Sequence, residues 1–208
     1  MNPIKSIMPK LMDDIDLTIV ESENVFNYLV SGKASEVEMA AFLATLSVKG
    51  SCSKELIGAV NALKPFVKNP LELDISTIDI VGTGGDGLKT YNISTAVAFI
   101  VASNGLYVAK HGNTAVSSKS GASDVLKELG INININKEII NKCLKETNMC
   151  FLFAPNYNNA FKYVAKVRKE LSFRTIFNLL GPLLNPVRAK RQLLGVFSNQ
   201  YLKVLAET

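Results

Sequence analysis

The chain has 208 residues, of which 48% are hydrophobic and 20% charged, as in ordinary globular proteins. Its apolar stretches, such as 96–102, are too short to span a bilayer. Acidic residues at 13, 14 and 16 stand where an export signal would need an apolar run. We therefore expect a cytoplasmic protein without a membrane segment. The net charge of +5 comes from scattered lysines without interleaved aromatics, so no nucleic-acid partner is expected.

Residues 1–68 predict a small helical domain of three short helices. One covers 23–30 and closes at Ser31-Gly32. Ser35 precedes the second, which continues to residue 48, and Ser53 is the predicted cap of a third that stops at Pro65. Such a bundle is too small to contain a catalytic cleft of its own.

Residues 71–208 predict an α/β domain. Strands are expected at 78–81, 106–109, 150–153 and 192–197, and helices at 96–103, 124–130, 137–147, 158–171 and from 199 onward. This alternation favours a mostly parallel sheet wrapped by helices. The sequence leaves open whether helix 158–171 packs on the sheet or with the amino-terminal bundle.

A glycine-rich turn, VGTGGDG at 81–87, follows the first strand directly. Glycines there let backbone N–H groups approach a phosphate, although a purely structural turn is an equal alternative for the motif alone. The spacing also fits a dinucleotide fingerprint, but no helix starts at the glycines, and the next strand ends in Lys110 instead of an acid. A Walker loop is excluded because no Gly-Lys-Ser or Gly-Lys-Thr follows.

Two further polar elements are expected beside this turn. Thr90, Asn92, Ser94 and Thr95 stand just before a helix, where hydroxyls and free N–H groups can bind an anion, with Ser94 or Thr95 as the cap. A polar loop predicted at 110–123 leaves the neighbouring strand. Alone, the first is usually a simple cap and the second an ordinary surface loop. Together, at the carboxyl ends of parallel strands, they predict a crevice for a phosphate-rich ligand.

Cysteine and histidine usage gives no sign of a metal centre built on these residues. Cys52, Cys143 and Cys150 lack metal-ligand spacing and are interpreted as reduced thiols. His111 is the single histidine of the chain, which excludes a multi-histidine site.

A series of short strings extends over nearly the whole chain: VGTGGDG, NIST, KHGN, SSKSG, DVLKELG, FLFAP, VRKEL, RTIFNLLGPLLNP and AAFLATLSVKG. In this combination they resemble the anthranilate phosphoribosyltransferase family. The resemblance implies a helical domain beside a nucleoside-phosphorylase-like α/β domain, homodimers, and Mg²⁺ as cofactor. It also implies transfer of phosphoribosyl from 5-phosphoribosyl 1-pyrophosphate to anthranilate, a step of tryptophan biosynthesis.

The resemblance also implies a set of site residues. Lys110 and His111 would be catalytic, Ser94 would contact magnesium, and Gly82, Asn113 and Arg168 would contact anthranilate. The residues expected to hold phosphoribosyl pyrophosphate are Gly82, Gly85, Asp86, Thr90, Asn92, Ile93, Ser94, Thr95, Lys110, His111, Gly112, Asn113, Ser117, Ser118 and Ala122.

The chain departs from the family pattern at a few positions. Thr114 stands where most members have arginine, Asn158 where they have histidine, and Ala122-Ser123 where they have Ser-Ala. Since the first two positions lie near the anthranilate channel in that pattern, we predict weaker anthranilate affinity than is typical. The family's magnesium-binding Asp-Glu pair lies beyond the position of Thr208, so the α/β domain is expected to be truncated at its carboxyl terminus and catalytically poor by itself.

Two alternatives remain open from the sequence. A nucleoside phosphorylase of the same fold would use inorganic phosphate, but it fits the VGTGGDG and NIST pair less well. A catalytically weak paralogue or fragment would bind nucleotides or partners without turnover, which Thr114 and Asn158 favour slightly.

Overall fold

The computed structural model describes residues 2–68, 75–84, 91–114 and 120–208. The chain divides into two compact units. The helical unit comprises Met1–Val67, Asn159–Leu184 and Asn199–Thr208, and the α/β unit comprises Lys68–Asn158 and Asn185–Ser198. This division differs from the predicted boundaries of 1–68 and 71–208, because two later segments return to the amino-terminal helices.

The helical unit begins with four helices and not with the three that the sequence predicts. They are α1 (Pro3–Met12), α2 (Ile19–Val30), α3 (Glu36–Lys49) and α4 (Ser53–Leu63), followed by a 3₁₀ turn at Lys64–Phe66. Thr18 and Ser35 cap α2 and α3 in capping boxes. The prediction that Ser53 caps the third helix is wrong, because Cys52 is the N-cap and Ser53 is the first helical residue.

Helices α2 and α4 lie in close backbone contact at Gly58. A Cβ on this residue would lie 2.4 Å from the carbonyl oxygen of Ile19 and 2.6 Å from the Cβ of Ser22. The apolar core of the unit then closes around Phe26, whose ring meets the ring of Phe42 edge-on with centroids 5.7 Å apart. Glycine at position 58 therefore sets the distance between the two helices.

The α/β unit contains a four-stranded sheet with helices between its strands. In chain order the elements are β1 (Ile78–Gly82), α5 (Ile93–Ser103), β2 (Val108–Gly112), α6 (Ala122–Glu128), α7 (Lys137–Thr147), β3 (Met149–Phe153), α8 (Ala154–Tyr157) and β4 (Arg191–Gly195). All pairings are parallel, and the strand order is β3-β2-β1-β4. The predicted fold class, a helical domain with a mostly parallel α/β domain, is confirmed.

The remaining helices belong to the helical unit. They are α9 (Ala165–Leu171), α10 (Phe177–Leu180) and α11 (Leu202–Glu207), with 3₁₀ turns at Ala160–Tyr163, Pro182–Leu184 and Asn199–Tyr201. The predicted continuous helix 158–171 is wrong, because Asn158 is extended and a 3₁₀ turn precedes α9. The ring of Phe177 lies 5.5 Å from that of Phe26, which explains why this segment joins the first helices.

The strand order positions the candidate site. The chain leaves β1 towards β2 on one side, whereas β4 pairs with β1 on the other side. The carboxyl ends of β1 and β4 therefore form a topological switch point, where open parallel sheets commonly bind ligands. Among the described residues, no helix is both long enough and apolar enough to cross a membrane.

Candidate functional site

The glycine turn begins at the switch point, where two glycines face each other. Gly82 of β1 pairs in register with Gly195 of β4. Thr83 continues this contact beyond the strand, since its N–H donates to the carbonyl of Gly195 at 2.9 Å and its hydroxyl accepts from the N–H of Phe197 at 3.0 Å. The absence of side chains at this pair leaves the strand ends open to an approaching ligand.

The beginning of α5 lies beside this turn, as the sequence predicts. A Cβ placed on Gly82 would lie 3.7 Å from the Oγ of Ser94. The predicted capping by Ser94 or Thr95 is wrong, because α5 begins at Ile93 with Asn92 as its N-cap. The N–H groups of Thr95 and Ala96 both donate to the Asn92 carbonyl at 3.0 Å, so these two donors are already engaged.

The third element is connected to the other two by polar contacts. The side-chain amide of Asn92 donates to the hydroxyl of Ser120 at 2.9 Å, which joins the start of α5 to the segment after β2. The N–H of Ser123 donates to the carbonyl of Asn113 at 3.3 Å, so the start of α6 returns to the end of β2. The structure thus brings together the described parts of all three predicted elements.

Lys110, His111 and Gly112 belong to β2, so the prediction that they open a polar loop is wrong. Lys110 and His111 are buried, with exposed fractions of 2% and 4%. The ammonium of Lys110 donates to the carbonyl of Ile80 at 2.6 Å. Burial lowers the pKa of Lys110 to about 8, and the charge of Asp79 partly opposes this change. Most Lys110 side chains are therefore still charged at pH 7.

The pairing of β1 with β2 is interrupted beside Lys110 and His111. All ten residues of the two strands are described, yet they pair in register only at Ile78 and Val108. Side chains bond to backbone groups of β2 in this region. Asp79 accepts from the N–H of His111 at 3.0 Å, and Asn185 donates to the carbonyl of Ala109 at 3.0 Å. We call this region, defined by Asp79, Ile80, Ala109, Lys110, His111 and Asn185, the split seam.

Several predicted ligand-binding residues lie outside the described residues, namely Gly85, Asp86, Thr90, Ser117 and Ser118. Of the others, Ala122 begins α6 close to Gly112, where an added Cβ would lie 3.1 Å from the Cβ of Ala122. Ile93 and Asn113 are exposed, and Thr114 beside Asn113 is exposed as well. The described candidates therefore combine exposed and buried positions around the strand ends.

Arg168, the predicted anthranilate contact, lies on α9 in the helical unit. Its guanidinium stands over the rings of Phe161 and Phe177, 5.9 Å and 5.3 Å from their centroids. Burial lowers the pKa of Arg168, and no described carboxylate forms an ion pair with it. A stacked guanidinium with this environment can receive an anionic ligand.

Sequence reasoning missed the buried polar residues that hold the strand ends in position. Asp79 is fully buried, and it also accepts from the side-chain amide of Gln192 at 3.2 Å. A signal was present, since a carboxylate in the apolar strand Ile78–Gly82 needs partners in the core. Asn185 had no comparable signal, because it lies in a loop before β4.

Comparison with known families decides the identity of the fold. Residues 74–208 match the family model described as "Glycosyl transferase family, a/b domain", and residues 5–65 match "Glycosyl transferase family, helical bundle domain". The chain belongs to this glycosyl transferase family.

Curated relatives and solved structures narrow the similarity within the family. The chain is 48% identical over 204 residues to an anthranilate phosphoribosyltransferase of Methanobrevibacter smithii, covering 98% of this chain and 61% of the relative. An anthranilate phosphoribosyltransferase from Thermus thermophilus superposes with a TM-score of 0.88 at 39% identity, covering 100% of this chain and 62% of that one. The Saccharomyces cerevisiae enzyme in complex with PRPP and Mg gives 0.87 at 30% identity, with 98% and 61% covered. The chain thus spans about three fifths of the length of these relatives.

Proposed function

We propose that this family member transfers the phosphoribosyl group of 5-phosphoribosyl 1-pyrophosphate to anthranilate, giving N-(5-phosphoribosyl)anthranilate and pyrophosphate in tryptophan biosynthesis. The observation that carries the proposal is the convergence of the described part of the glycine turn (81–84), the start of α5 and the end of β2 at the switch point. The similarity to anthranilate phosphoribosyltransferases over almost the whole chain supports the choice of substrates.

The protein contributes to this reaction mainly by stabilising the charge of the leaving group and by positioning the two substrates. The anthranilate amine is neutral at pH 7 and attacks the anomeric carbon without a strong base. As the N–C bond forms, the C–O bond to pyrophosphate breaks, the leaving group takes the electron pair, and the amine releases a proton. Negative charge grows on the pyrophosphate, so positive groups fixed near it lower the barrier.

The proposed diphosphate contacts follow from the three elements at the strand ends. Gly82 and the residues after Thr83 would offer backbone N–H groups, since the N–H of Thr83 already donates to the carbonyl of Gly195. Asn92, Thr95 and Gly112 would line the neighbouring positions. The buried ammonium of Lys110 donates to the carbonyl of Ile80, the residue directly before the glycine turn, from where its charge would favour the anion. The full proposed set is Gly82, Gly85, Asp86, Thr90, Asn92, Ile93, Ser94, Thr95, Lys110, His111, Gly112, Asn113, Ser117, Ser118 and Ala122.

Magnesium fits the described donor chemistry at Ser94. Its hydroxyl is a hard oxygen donor beside Gly82, and Mg²⁺ commonly uses few protein oxygens together with water and substrate phosphates. A bound magnesium ion would neutralise charge on the diphosphate. The yeast relative in complex with PRPP and Mg supports this cofactor for the family.

Arg168 is the proposed partner of the anthranilate carboxylate, together with Gly82 and Asn113. Its planar guanidinium can donate to both carboxylate oxygens, and the rings beneath it restrict its orientation. We further propose a helical domain and a phosphoribosyl pyrophosphate-binding α/β domain, a homodimer, and a cytoplasmic location.

Loss of anthranilate fluorescence tests the activity directly. The protein is mixed with anthranilate, phosphoribosyl pyrophosphate and MgCl₂, and the decay must require all three additions. Replacing Arg168 by Ala should raise KM for anthranilate markedly while KM for phosphoribosyl pyrophosphate changes little. An unchanged KM for anthranilate would refute the role of Arg168. Phosphorolysis of a nucleoside would support a phosphorylase, and binding of phosphoribosyl pyrophosphate without any turnover would contradict the transferase assignment for this polypeptide.

A further inference from the structure

The split seam contains a fully buried carboxylate to which no role has been given so far. Asp79 lies on β1, two residues before the glycine turn. One carboxylate oxygen accepts from the N–H of His111 on β2, and the other accepts from the side chain of Gln192 on β4. Asp79 therefore connects all three strands whose carboxyl ends surround the candidate site.

The geometry of the seam indicates what this carboxylate replaces. Ile78 donates its N–H to the carbonyl of Tyr107, so the polar groups of Ile78 and Ile80 point towards β2. In a regular parallel ladder, the N–H of His111 would donate to the carbonyl of Ile80. Here the N–H of His111 donates to Asp79, and the carbonyl of Ile80 accepts from Lys110. Asp79 and Lys110 together occupy a gap between two strands that are paired only at their beginning.

We infer that Asp79 is a positioning residue of the candidate site: its carboxylate fixes the backbone of β2 at His111 and keeps the ammonium of Lys110 charged at the carbonyl of Ile80, directly before the glycine turn. The inference deepens the proposed function and rests on it, because the charge of Lys110 matters most if the turn binds a diphosphate.

The electrostatic environment supports a specific interaction between these two residues. Burial acts against the charge of Lys110, and Asp79 is the group that opposes this effect. Burial likewise raises the pKa of Asp79, while hydrogen bonds from Asn185 and from the His111 backbone, and the charge of Lys110, oppose the rise. Each buried charge thus favours ionisation of the other, as reciprocal linkage requires.

No other described group near β2 duplicates this effect. Helix α5 carries no charged side chain, and the Arg191 guanidinium lies at the opposite end of β4, where it donates to the hydroxyl of Ser76. Among the other titratable side chains on the adjoining elements, Cys150 on β3 has its pKa raised to about 12 by burial, and His111 lies on β2 itself. Helix α6 carries Asp124, which accepts from the N–H of Gly121, and the exposed Lys127 and Glu128.

A lysine titration by NMR tests the inference without any ligand. The whole chain is labelled with ¹³C at lysine Cε, and the Lys110 signal is assigned by its loss in Lys110→Met. We expect a midpoint near pH 8 in the wild type. Asp79→Asn keeps the shape of the side chain and removes its charge, so the Lys110 midpoint should fall by about one pH unit or more. Gln192→Met, which removes one hydrogen bond to Asp79 but no charge, is the matched control and should change the midpoint much less.

The reciprocal variant protects the test against misfolding of Asp79→Asn. In Lys110→Met the titration midpoint of the Asp79 carboxyl, followed through its ¹³Cγ signal, should rise. Unchanged midpoints in both variants would overturn the inference.

Calorimetric titration with phosphoribosyl pyrophosphate and MgCl₂ from pH 7 to 9.5 then links the pair to binding. Wild-type affinity should fall above pH 8, and in Asp79→Asn the fall should begin at the lower pH given by the NMR midpoint. If the pH at which affinity falls does not follow the titration midpoint of Lys110, the positioning role of Asp79 is overturned. Absence of binding at every pH refutes the proposed function instead, since the NMR comparison still decides whether Asp79 holds the proton on Lys110.

Discussion

The buried ammonium of Lys110 should make the stability of the protein depend on pH in an unusual direction. Its pKa is about 8 in the folded state, against 10.5 for an exposed lysine. Between these values the folded state binds fewer protons than the unfolded state, so stability rises as pH increases through this window. The full effect is about 3 kcal/mol, and about 2 kcal/mol of it should be present by pH 9.5.

Replacing Lys110 by Met isolates this contribution. The variant removes the cost of burying a charge, but it also leaves the carbonyl of Ile80 without its donor, which costs about 1–3 kcal/mol at every pH. The two effects nearly cancel at pH 7. At pH 9.5 the wild type should have gained about 2 kcal/mol relative to the variant.

Urea unfolding followed by far-UV circular dichroism at pH 7.0 and 9.5 measures this difference. Titrating groups outside the split seam are common to both proteins and drop out of the comparison, and the change at Asp79 is taken from its ¹³Cγ titration in the same variant. Lys145→Met, at an exposed position of α7, serves as the control and should show no pH-dependent difference from the wild type. A constant difference between wild type and Lys110→Met at the two pH values would refute the assignment of a buried, partly deprotonating ammonium.

Three further predictions concern the described core. Gly58→Ala should destabilise the helical unit by about 3 kcal/mol, because the new Cβ would clash with the backbone of α2. Asn61→Ala, on the exposed face of α4, is the control and should leave the stability unchanged. Thermal unfolding of the two variants measures the difference. Glu55→Leu should cost about 3 kcal/mol or more in urea unfolding, since the N–H groups of Leu17 and Cys52 lose their buried acceptor. Cys150 should react with Ellman's reagent more slowly than the other two thiols at pH 8, because burial raises its pKa to about 12. Cys150→Ser should remove the slow phase of the reaction and leave the fast phase, which comes from the other thiols, unchanged.

A lysine of the helical unit, Lys49, has a raised pKa, whereas the pKa of Lys110 in the split seam is lowered. Burial alone would lower the pKa of Lys49, but hydrogen bonds and charges from Asp16 and Glu55 outweigh it and raise the pKa. Two carboxylates surround this lysine, whereas Lys110 has one carboxylate nearby and donates to a carbonyl. The comparison explains why the ammonium of the α/β unit, and not that of the bundle, is poised to lose its proton.

Periodicity and turn residues predicted most of the regular elements. Helix α7 was predicted with its observed bounds, and the predicted strand 78–81 is one residue shorter than β1. Helix α1 was missed because it contains Pro9 and follows no hydroxyl cap; its N-cap is the amide of Asn2. The break before α9 was missed because an amphipathic pattern continues through residues that form a 3₁₀ turn and not an α-helix.

The sequence predicted that three polar elements meet at neighbouring strand ends, but not how those strand ends are held. The order of motifs placed the glycine turn, Asn92 and the residues after β2 at neighbouring strand ends, and the contact of Asn92 with Ser120 agrees with that expectation. The lysine and histidine at the end of β2 were interpreted as loop residues because polar side chains rarely lie inside strands. Their partners, Asp79 and the carbonyl of Ile80, come from another strand, and periodicity along one segment contains no information about them.

These misassigned residues also show where fold and function are connected. A regular ladder between β1 and β2 would satisfy the backbone groups of Ile80 and His111 without burying any charge. The chain instead places a carboxylate and an ammonium between the strands, an arrangement that costs stability at neutral pH. Deviations from local consistency of this kind concentrate at functional sites. The cost is understandable if the split seam serves the proposed diphosphate site, because it fixes a positive charge at the carbonyl of Ile80, directly before the glycine turn.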